Sequence, residues 1–338
     1  MKVQHREFRP GRSRAVLVSA TVLFGLGTAA SQGVVAYLPV SVACRELHEM
    51  VVAQVKTGSL AEAETTLSSA LARGSDPGCA GLTLTNLAAT IAMSGRLREA
   101  ESVAEQAIGL LDKSHPSDDR VLLRALQILA ATRIEQGKIA RAREAYQRMH
   151  GVRIEGPEDA ALVHGIAGTL FQIGGKRREA EDEYLAAIRS WEAAGRGEIA
   201  DAASVLTALA TLYVQERRLT DASQTLARVL VILQRSKDTV PADHVKLLSV
   251  RADLHFLQHH FQEAEQDARE AIAIADREPQ LSASYRAILL TEYARILRKN
   301  RRSREARSIE TRAAALRRES AATTVIDVAE LAATKTAR

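Results

Sequence analysis

The sequence predicts an all-α fold, a right-handed α-solenoid of about seven helix pairs. A six-residue block recurs seven times, as Gly-x-x-x-(Glu/Arg)-Ala in four units and with Arg or His in place of the glycine in three. The spacings between blocks are 37, 42, 38, 42, 42 and 42 residues, and periods of about 20–50 residues are typical of repeat arrays. The blocks start at Gly58, Gly95, Gly137, Gly175, Arg217, His259 and Arg301.

Small residues recur at three fixed phases of this array. The fifth residue after each block start is alanine in every unit, and the seventh before and the twelfth after are mostly small. Such residues let two helices approach closely, because the side chains at a crossing set the interaxial distance. The three columns are Ala63, Ala100, Ala142, Ala180, Ala222, Ala264 and Ala306; Val51, Ala88, Ala130, Gly168, Ala210, Ala252 and Ala294; and Ala70, Ala107, Met149, Ala187, Val229, Ala271 and Ala313.

Helical periodicity and prolines divide the chain into units. Apolar residues at i, i+3, i+4 and i+7 flank each block, so each block predicts a helix, a turn and a second helix. Five of the seven prolines lie between units, where they mark boundaries because proline cannot continue a helix interior. We therefore expect one solenoid over residues 44–320 and a short tail at 321–338. The boundary prolines are Pro77, Pro116, Pro157, Pro241 and Pro279.

This arrangement resembles the tetratricopeptide repeat. The family's small residue, glycine, two alanines and closing proline match Ala88, Gly95, Ala100, Ala107 and Pro116. The resemblance covers about residues 44–320, and the 42-residue spacing is similar to the kinesin-light-chain type of the repeat. The chain departs from the pattern in two ways: the last three units lack the glycine, and the family's large aromatic residues occur only in places.

The first 43 residues predict an export segment. Residues 1–14 are rich in Arg and Lys, and residues 15–43 contain no charged side chain. Small residues before Ser31 are typical of a signal-peptide cleavage site. An uncleaved inner-membrane anchor at residues 15–43 is the alternative, because the uncharged stretch exceeds the ~20 residues that span a bilayer. Both predictions place the repeats outside the cytoplasm, in an exported, periplasmic or secreted protein, whereas a cytoplasmic location requires that neither applies.

The two cysteines, Cys44 and Cys79, lie near the starts of the first helices of the first two units. Those helices are neighbours in a stacked solenoid, so a disulfide is possible in an oxidising compartment. Two unpaired thiols are the alternative, because sequence does not give the distance between the two Cα atoms. A third interpretation makes Cys44 a lipidated cysteine, but Ser41 stands where such signals usually have leucine.

The C-terminal end of the array is strongly basic, since residues 298–318 hold nine basic and two acidic residues. A polar terminal cap, which a solenoid needs, is one interpretation. A landing site for an acidic partner or anionic lipid is the other. Nucleic acid is not expected, because no aromatic residues are interleaved to stack on bases. The basic-end residues that we single out are Arg298, Arg301, Arg302 and Arg304.

No catalytic motif is found in the sequence. Residues 25–30 match a dinucleotide fingerprint, but they lie in the predicted export segment without a strand before them. His255 and His259 share a helical face beside His260, yet no further ligand completes the three or four that zinc needs. We therefore expect exposed turn and groove histidines, no metal, no cofactor and no enzyme activity.

The resemblance implies that the first helix of each unit lines a concave groove. The lining residues are then Asn86, Gln127, Thr169, Gln172, Thr207, Thr211, Gln215, Ser249, Asp253 and Arg295. Small neutral side chains of this kind suit the backbone of an extended peptide, or they merely keep an empty groove soluble. The carboxylate clamp of co-chaperone repeats needs Lys, Asn and Arg at these places, and only Asn86 fits.

The sequence thus predicts a non-catalytic scaffold or adaptor that binds a protein or peptide partner on the concave face. A sensor or regulatory module that responds to a small peptide or ligand is the alternative. That alternative calls for an output domain, and the tail at 321–338 is too short to be one.

Overall fold

The computed structural model describes residues 41–318, except 75–76, 114–118, 155, 198–199, 236–240, 279–280 and 282. All regular secondary structure among these residues is helical, as predicted. The predicted export segment and the tail at 321–338 lie almost wholly outside the described residues. The helices are α1 (Val42–Lys56), α2 (Leu60–Ala72), α3 (Pro77–Met93), α4 (Leu97–Leu111), α5 (Asp119–Glu135), α6 (Ile139–Met149), α7 (Pro157–Ile173), α8 (Arg177–Ala193), α9 (Ala200–Gln215), α10 (Leu219–Arg235), α11 (Pro241–Leu257), α12 (Phe261–Ala275), α13 (Ala283–Lys299) and a last helix, α14, at 303–318.

Over residues 41–318 the helices form seven antiparallel pairs, α1/α2 to α13/α14, each joined by the same turn at the block start. In the third unit Lys138 donates its N–H to the carbonyl of Arg133 at 2.8 Å, and Gly137 donates to Ile134 at 2.9 Å. This is the Schellman pattern, which needs a left-handed residue and favours glycine. All seven block starts have positive φ, between 61° and 79°, including the non-glycine residues Arg217, His259 and Arg301.

The residues of all three small-residue columns are buried, as expected of positions where two helices pack closely. The alanine five residues after each block start has no exposed surface in any of the seven units. Gly168 is the one glycine in the columns, and the contacts around it explain why alanine is absent there. A Cβ on Gly168 would lie 2.6 Å from Cδ1 of Tyr184, whose ring is buried in the same crossing. The core runs through the stack because each unit packs mainly against its neighbours.

Ion pairs connect second helices of one unit to the next unit at two repeated positions. In the first set, the acidic residue lies six positions after a block start. It pairs with the basic residue that lies one position after the start of the next block. These pairs are Glu64–Arg96 (2.6 Å), Glu101–Lys138 (2.5 Å), Glu181–Arg218 (2.7 Å) and Glu265–Arg302. The other set is Asp112–Arg148 (2.7 Å), Glu192–Arg228 (2.7 Å) and Asp276–Arg312. Most of these pairs are partly exposed, so each contributes roughly 0–1 kcal/mol to stability.

The junction between the third and fourth units cannot form either set of pairs. The residues at the two acidic positions of the third unit are Arg143 and Ile154. The second helix of this unit, α6, is also short, with 11 residues. Arg120 on α5 instead reaches Asp159 on α7, with Nε and Oδ2 3.1 Å apart.

Among the helices in the described part of the chain, none is long and apolar enough to span a bilayer.

Candidate functional site

The face formed by the first helices begins with Asn86, which is buried and bonded within the protein. Its Nδ2 donates to Nδ1 of His48 on α1 at 2.9 Å. The proton on Nε2 of His48 then points to Oγ1 of Thr83 at 3.3 Å, and this hydroxyl donates to the Cys79 carbonyl at 2.7 Å. Burial lowers the pKa of His48 to about 4, so the ring is neutral. Asn86 therefore bridges the first two units and is not available as a clamp for a charged C-terminus.

Gln172 and Gln215 connect the fourth and fifth units. The Gln172 amide donates from Nε2 to Oε1 of Gln215 at 3.1 Å. Its Oε1 accepts from the hydroxyl of Tyr184 at 2.8 Å, and Thr169 lies 3.3 Å from the same hydroxyl. Burial raises the pKa of Tyr184 above its usual value, so the phenol remains a donor. Gln172 lies on the predicted first-helix face, but it is largely buried and its amide is bonded within the protein.

Three further predicted groove residues are bonded locally. The hydroxyls of Thr207 and Thr211 donate to the carbonyls of Ala203 and Thr207, each at 2.8 Å. Gln127 accepts at Oε1 from Nη1 of Arg124 at 2.7 Å. Each threonine oxygen keeps a lone pair that can accept one more hydrogen bond.

The remaining predicted residues lie together between α11 and α13. Nη2 of Arg295 pairs with Oδ1 of Asp253 at 2.5 Å, and its guanidinium stacks 3.8 Å from the centre of the Phe256 ring. Ser249 and Asp253 line a small cleft with Leu289 and other residues of these helices. The structure therefore brings the ten predicted residues onto one set of helices, but it links many of them in pairs across neighbouring units.

Sequence reasoning missed two residues on this face, Glu135 and Ser204. Within the described part of the chain, Oε1 of Glu135 and Oγ of Ser204 are inaccessible to solvent and have no hydrogen-bond partner. Burial raises the pKa of Glu135 to about 8, and the Lys246 ammonium partly offsets this. Their positions in the repeat could have identified both. Glu135 lies two residues and Ser204 thirteen residues before a block start, and the groove-lining pattern of the family includes both positions.

The basic end carries fewer unbalanced charges than its composition indicates. Arg298 pairs with Glu310 at 2.8 Å, and Arg302 pairs with both Glu305 and Glu265. Arg301 and Arg304 are exposed. Two of the four predicted arginines, Arg298 and Arg302, are therefore paired with carboxylates of the protein itself.

Cys44 and Cys79 form a disulfide bond, with their Cα atoms 6.0 Å apart. The bond links α1 to α3, so neither cysteine is a free thiol.

The histidines of the sixth unit are arranged differently from a metal site. Nε2 of His255 lies 3.7 Å from Oδ2 of Asp267, and Arg251 already binds both oxygens of that carboxylate at 2.6 and 2.9 Å. His259 and His260 are exposed.

Comparisons with known proteins find similarity in structure only. No family model matches the sequence, and no curated protein sequence matches it. The apo form of RapI superposes with a TM-score of 0.58 at 13% identity, over 82% of this chain and 98% of RapI. A chain of the APC/C hetero-tetramer Cut9–Hcn1 gives 0.50 at 14% identity, over 89% and 59%. A tetratricopeptide repeat protein from Parabacteroides merdae gives 0.49 at 19% identity, over 82% and 94%.

These likenesses concern the fold, because sequence identities are below 20%. The repeated Schellman turns, the buried alanine columns and the seven stacked helix pairs are the features that define the architecture here. The protein thus has the fold of a tetratricopeptide-repeat solenoid.

Proposed function

We propose that this protein is a non-catalytic interaction scaffold that lies outside the cytoplasm and holds a peptide or protein partner on the face of its first helices. The observation that carries this proposal is a pair of partly exposed polar side chains on successive first helices, Gln215 on α9 and Ser249 on α11. Amide and hydroxyl groups can both donate and accept hydrogen bonds. The backbone of a bound extended peptide offers the complementary donors and acceptors.

The surrounding chemistry supports a neutral peptide segment. The Gln215 amide accepts from Gln172 through Oε1 and can donate from Nε2 to a carbonyl of an extended backbone. A charged peptide C-terminus is disfavoured because Asn86 is already bonded to His48. The APC/C chain that shares this fold is part of a hetero-tetramer, which is consistent with an assembly role for the solenoid.

Binding can be tested with peptides selected on the full chain from a random phage-displayed library. The variant Gln215→Ala should weaken binding of the selected peptide about 5- to 10-fold, because one hydrogen bond is worth about 1 kcal/mol. Gln224→Ala, at an exposed glutamine on α10, is the matched control and should leave the affinity unchanged. Equal affinities of all three proteins would reject the concave-face site. Loss of binding only on charge reversal of Arg301, Arg302 and Arg304 would move the site to the basic end.

Location can be tested separately with alkaline phosphatase fused after residue 338, because this enzyme needs disulfides that form only outside a bacterial cytoplasm. We expect phosphatase activity from the full chain and none after deletion of residues 1–43. Activity that is absent from the full-length fusion would reject an extracytoplasmic scaffold while leaving the binding result intact.

A further inference from the structure

A second cluster of chemistry-bearing side chains lies at the first junction of the stack. Cys44 and His48 are one helical turn apart on α1, and Cys79 is on α3. The three side chains are almost completely buried, and their potential ligand atoms all lie within 4.8 Å of one another. A disulfide staple requires only the two cysteines, so the fully buried imidazole beside it needs a separate explanation.

We propose that this cluster becomes a zinc site when the Cys44–Cys79 bond is reduced. Two thiolates and one imidazole are typical zinc ligands. The two thiolates also balance the charge of Zn²⁺, so the complex buries no net charge, which would be costly in this apolar core. The proposal is independent of the partner-binding function, because it concerns the N-terminal junction.

The chemistry balances with a dithiol reductant. The reductant transfers two electrons and two protons to the disulfide, which yields two thiols and leaves the reductant as its own disulfide. Zinc then displaces both thiol protons, which are released to solvent. A reducing compartment therefore favours the metal form and an oxidising one favours the disulfide, in agreement with the usual distribution of cysteine chemistry between compartments.

The environment of His48 is suited to ligation. Nδ1 of His48 is bonded to Asn86, and Oγ1 of Thr83 lies 3.3 Å from Nε2 of His48 and 3.9 Å from Sγ of Cys79, so we assign Nε2 as the ligating nitrogen. Zinc-bound histidines usually hold their other ring N–H with an oxygen acceptor. A half-turn of the Asn86 amide places Oδ1 at the site of Nδ2, 2.9 Å from Nδ1. The ring stays neutral, since its proton moves from Nε2 to Nδ1.

Thr83 completes the site, because its hydroxyl lies beside both a sulfur and the ligating nitrogen. Zinc prefers four tetrahedral ligands, and the three donors from Cys44, His48 and Cys79 leave one position. The Thr83 hydroxyl is the polar group placed to fill it.

The test uses the full chain, purified in detergent so that the N-terminal segment is retained. One sample is reduced under anaerobic conditions and one is left oxidised, and both are incubated with zinc sulfate and desalted. We expect one zinc per reduced chain and none per oxidised chain, by mass spectrometry of the metal. X-ray absorption at the zinc edge should show two sulfur ligands and at least one nitrogen. This reading needs no variant, so it stands even where a substitution impairs folding.

Variants then assign the ligands. Cys44→Ser and His48→Gln should each abolish stoichiometric binding, and Asn86→Ala should weaken it about 10-fold, because it orients the ligand. His164→Gln is the matched control, because His164 lies in the fourth unit, away from the cysteine cluster. There it pairs with Glu183, with Nδ1 and Oε2 2.6 Å apart. Zinc uptake that is equal in both redox states, a spectrum without sulfur, or full binding by Cys44→Ser would overturn the proposal.

Discussion

At the residue scale, the seven block starts share one backbone conformation but not one residue type. A non-glycine residue in the left-handed region destabilises the folded protein by roughly 1–2 kcal/mol. Glycine removes this strain, but its greater chain entropy in the unfolded state costs about 0.5–1 kcal/mol. We therefore expect Arg217→Gly, at φ 61°, to raise the free energy of unfolding by about 0.5–1 kcal/mol. The mirror variant Gly137→Ala, at φ 72°, should lower it by about 1 kcal/mol. Urea denaturation measures both, and shifts of the same sign would contradict the argument.

Glu135 gives a pH-dependent prediction. Its pKa is raised from 4.5 to about 8 in the folded protein, so the unfolded chain loses this proton at lower pH than the folded chain. Stability is therefore lost as the pH rises from about 4.5 to about 8. Glu135→Gln should match the parent near pH 4.5 and be more stable near pH 8. Denaturation midpoints at both values test this, with exposed Glu144→Gln as control. A constant difference at both pH values would reject the titration of Glu135 as the cause.

At the element scale, α7 contains two glycines with opposite roles one turn apart. A Cβ on Gly168 would lie 2.6 Å from the Tyr184 ring, whereas one on Gly165 would lie 3.7 Å from Cγ2 of Val205, an ordinary contact. Gly168→Ala should therefore destabilise the protein by about 1–3 kcal/mol. Gly165→Ala should be neutral or stabilise it by up to about 1 kcal/mol, because alanine is the better helix former. Thermal melts that shift equally would show that Tyr184 moves away without cost.

The alanine column gives a related prediction for α8. Ala180→Leu should destabilise by about 1–3 kcal/mol, because overpacking at a helix crossing forces the pair apart. The neighbouring Glu181 does not serve as an exposed control, because it is partly buried and accepts hydrogen bonds from Tyr213 at 3.0 Å and Arg218 at 2.7 Å. Asp182 is exposed, so Asp182→Leu is the better control. Equal losses in melting temperature would mean that Ala180 is not at a close crossing.

At the scale of the whole molecule, the third and fourth units meet without the repeated ion pairs. Lys176 occupies the basic position that Arg96 and Lys138 hold in other units. The residue opposite it is Arg143, at the position where the other units have a glutamate. Arg143→Glu should therefore add the missing pair and stabilise the protein by about 0.5 kcal/mol at low salt. Arg141→Glu, exposed on the same helix, is the control. A gain that persists in 1 M salt would not be electrostatic, because screening at that ionic strength acts over about 3 Å.

The sequence by itself determined the repeat phase, the seven helix pairs, the buried alanines and the neighbourhood of Cys44 and Cys79. This is possible because each unit packs against its neighbours, so a fixed period transfers one local geometry along the whole chain. The same period located the first-helix face, including the phases of Glu135 and Ser204.

Only the tertiary structure decided which side chains on that face are already bonded. Asn86 meets His48 and Gln172 meets Gln215 across about one repeat, 38 and 43 residues apart in sequence. Tyr184 fills the space that Gly168 leaves, and Glu181 binds the next unit. The direction of a long polar side chain depends on the rotation between stacked units, and residue type and spacing do not specify that rotation.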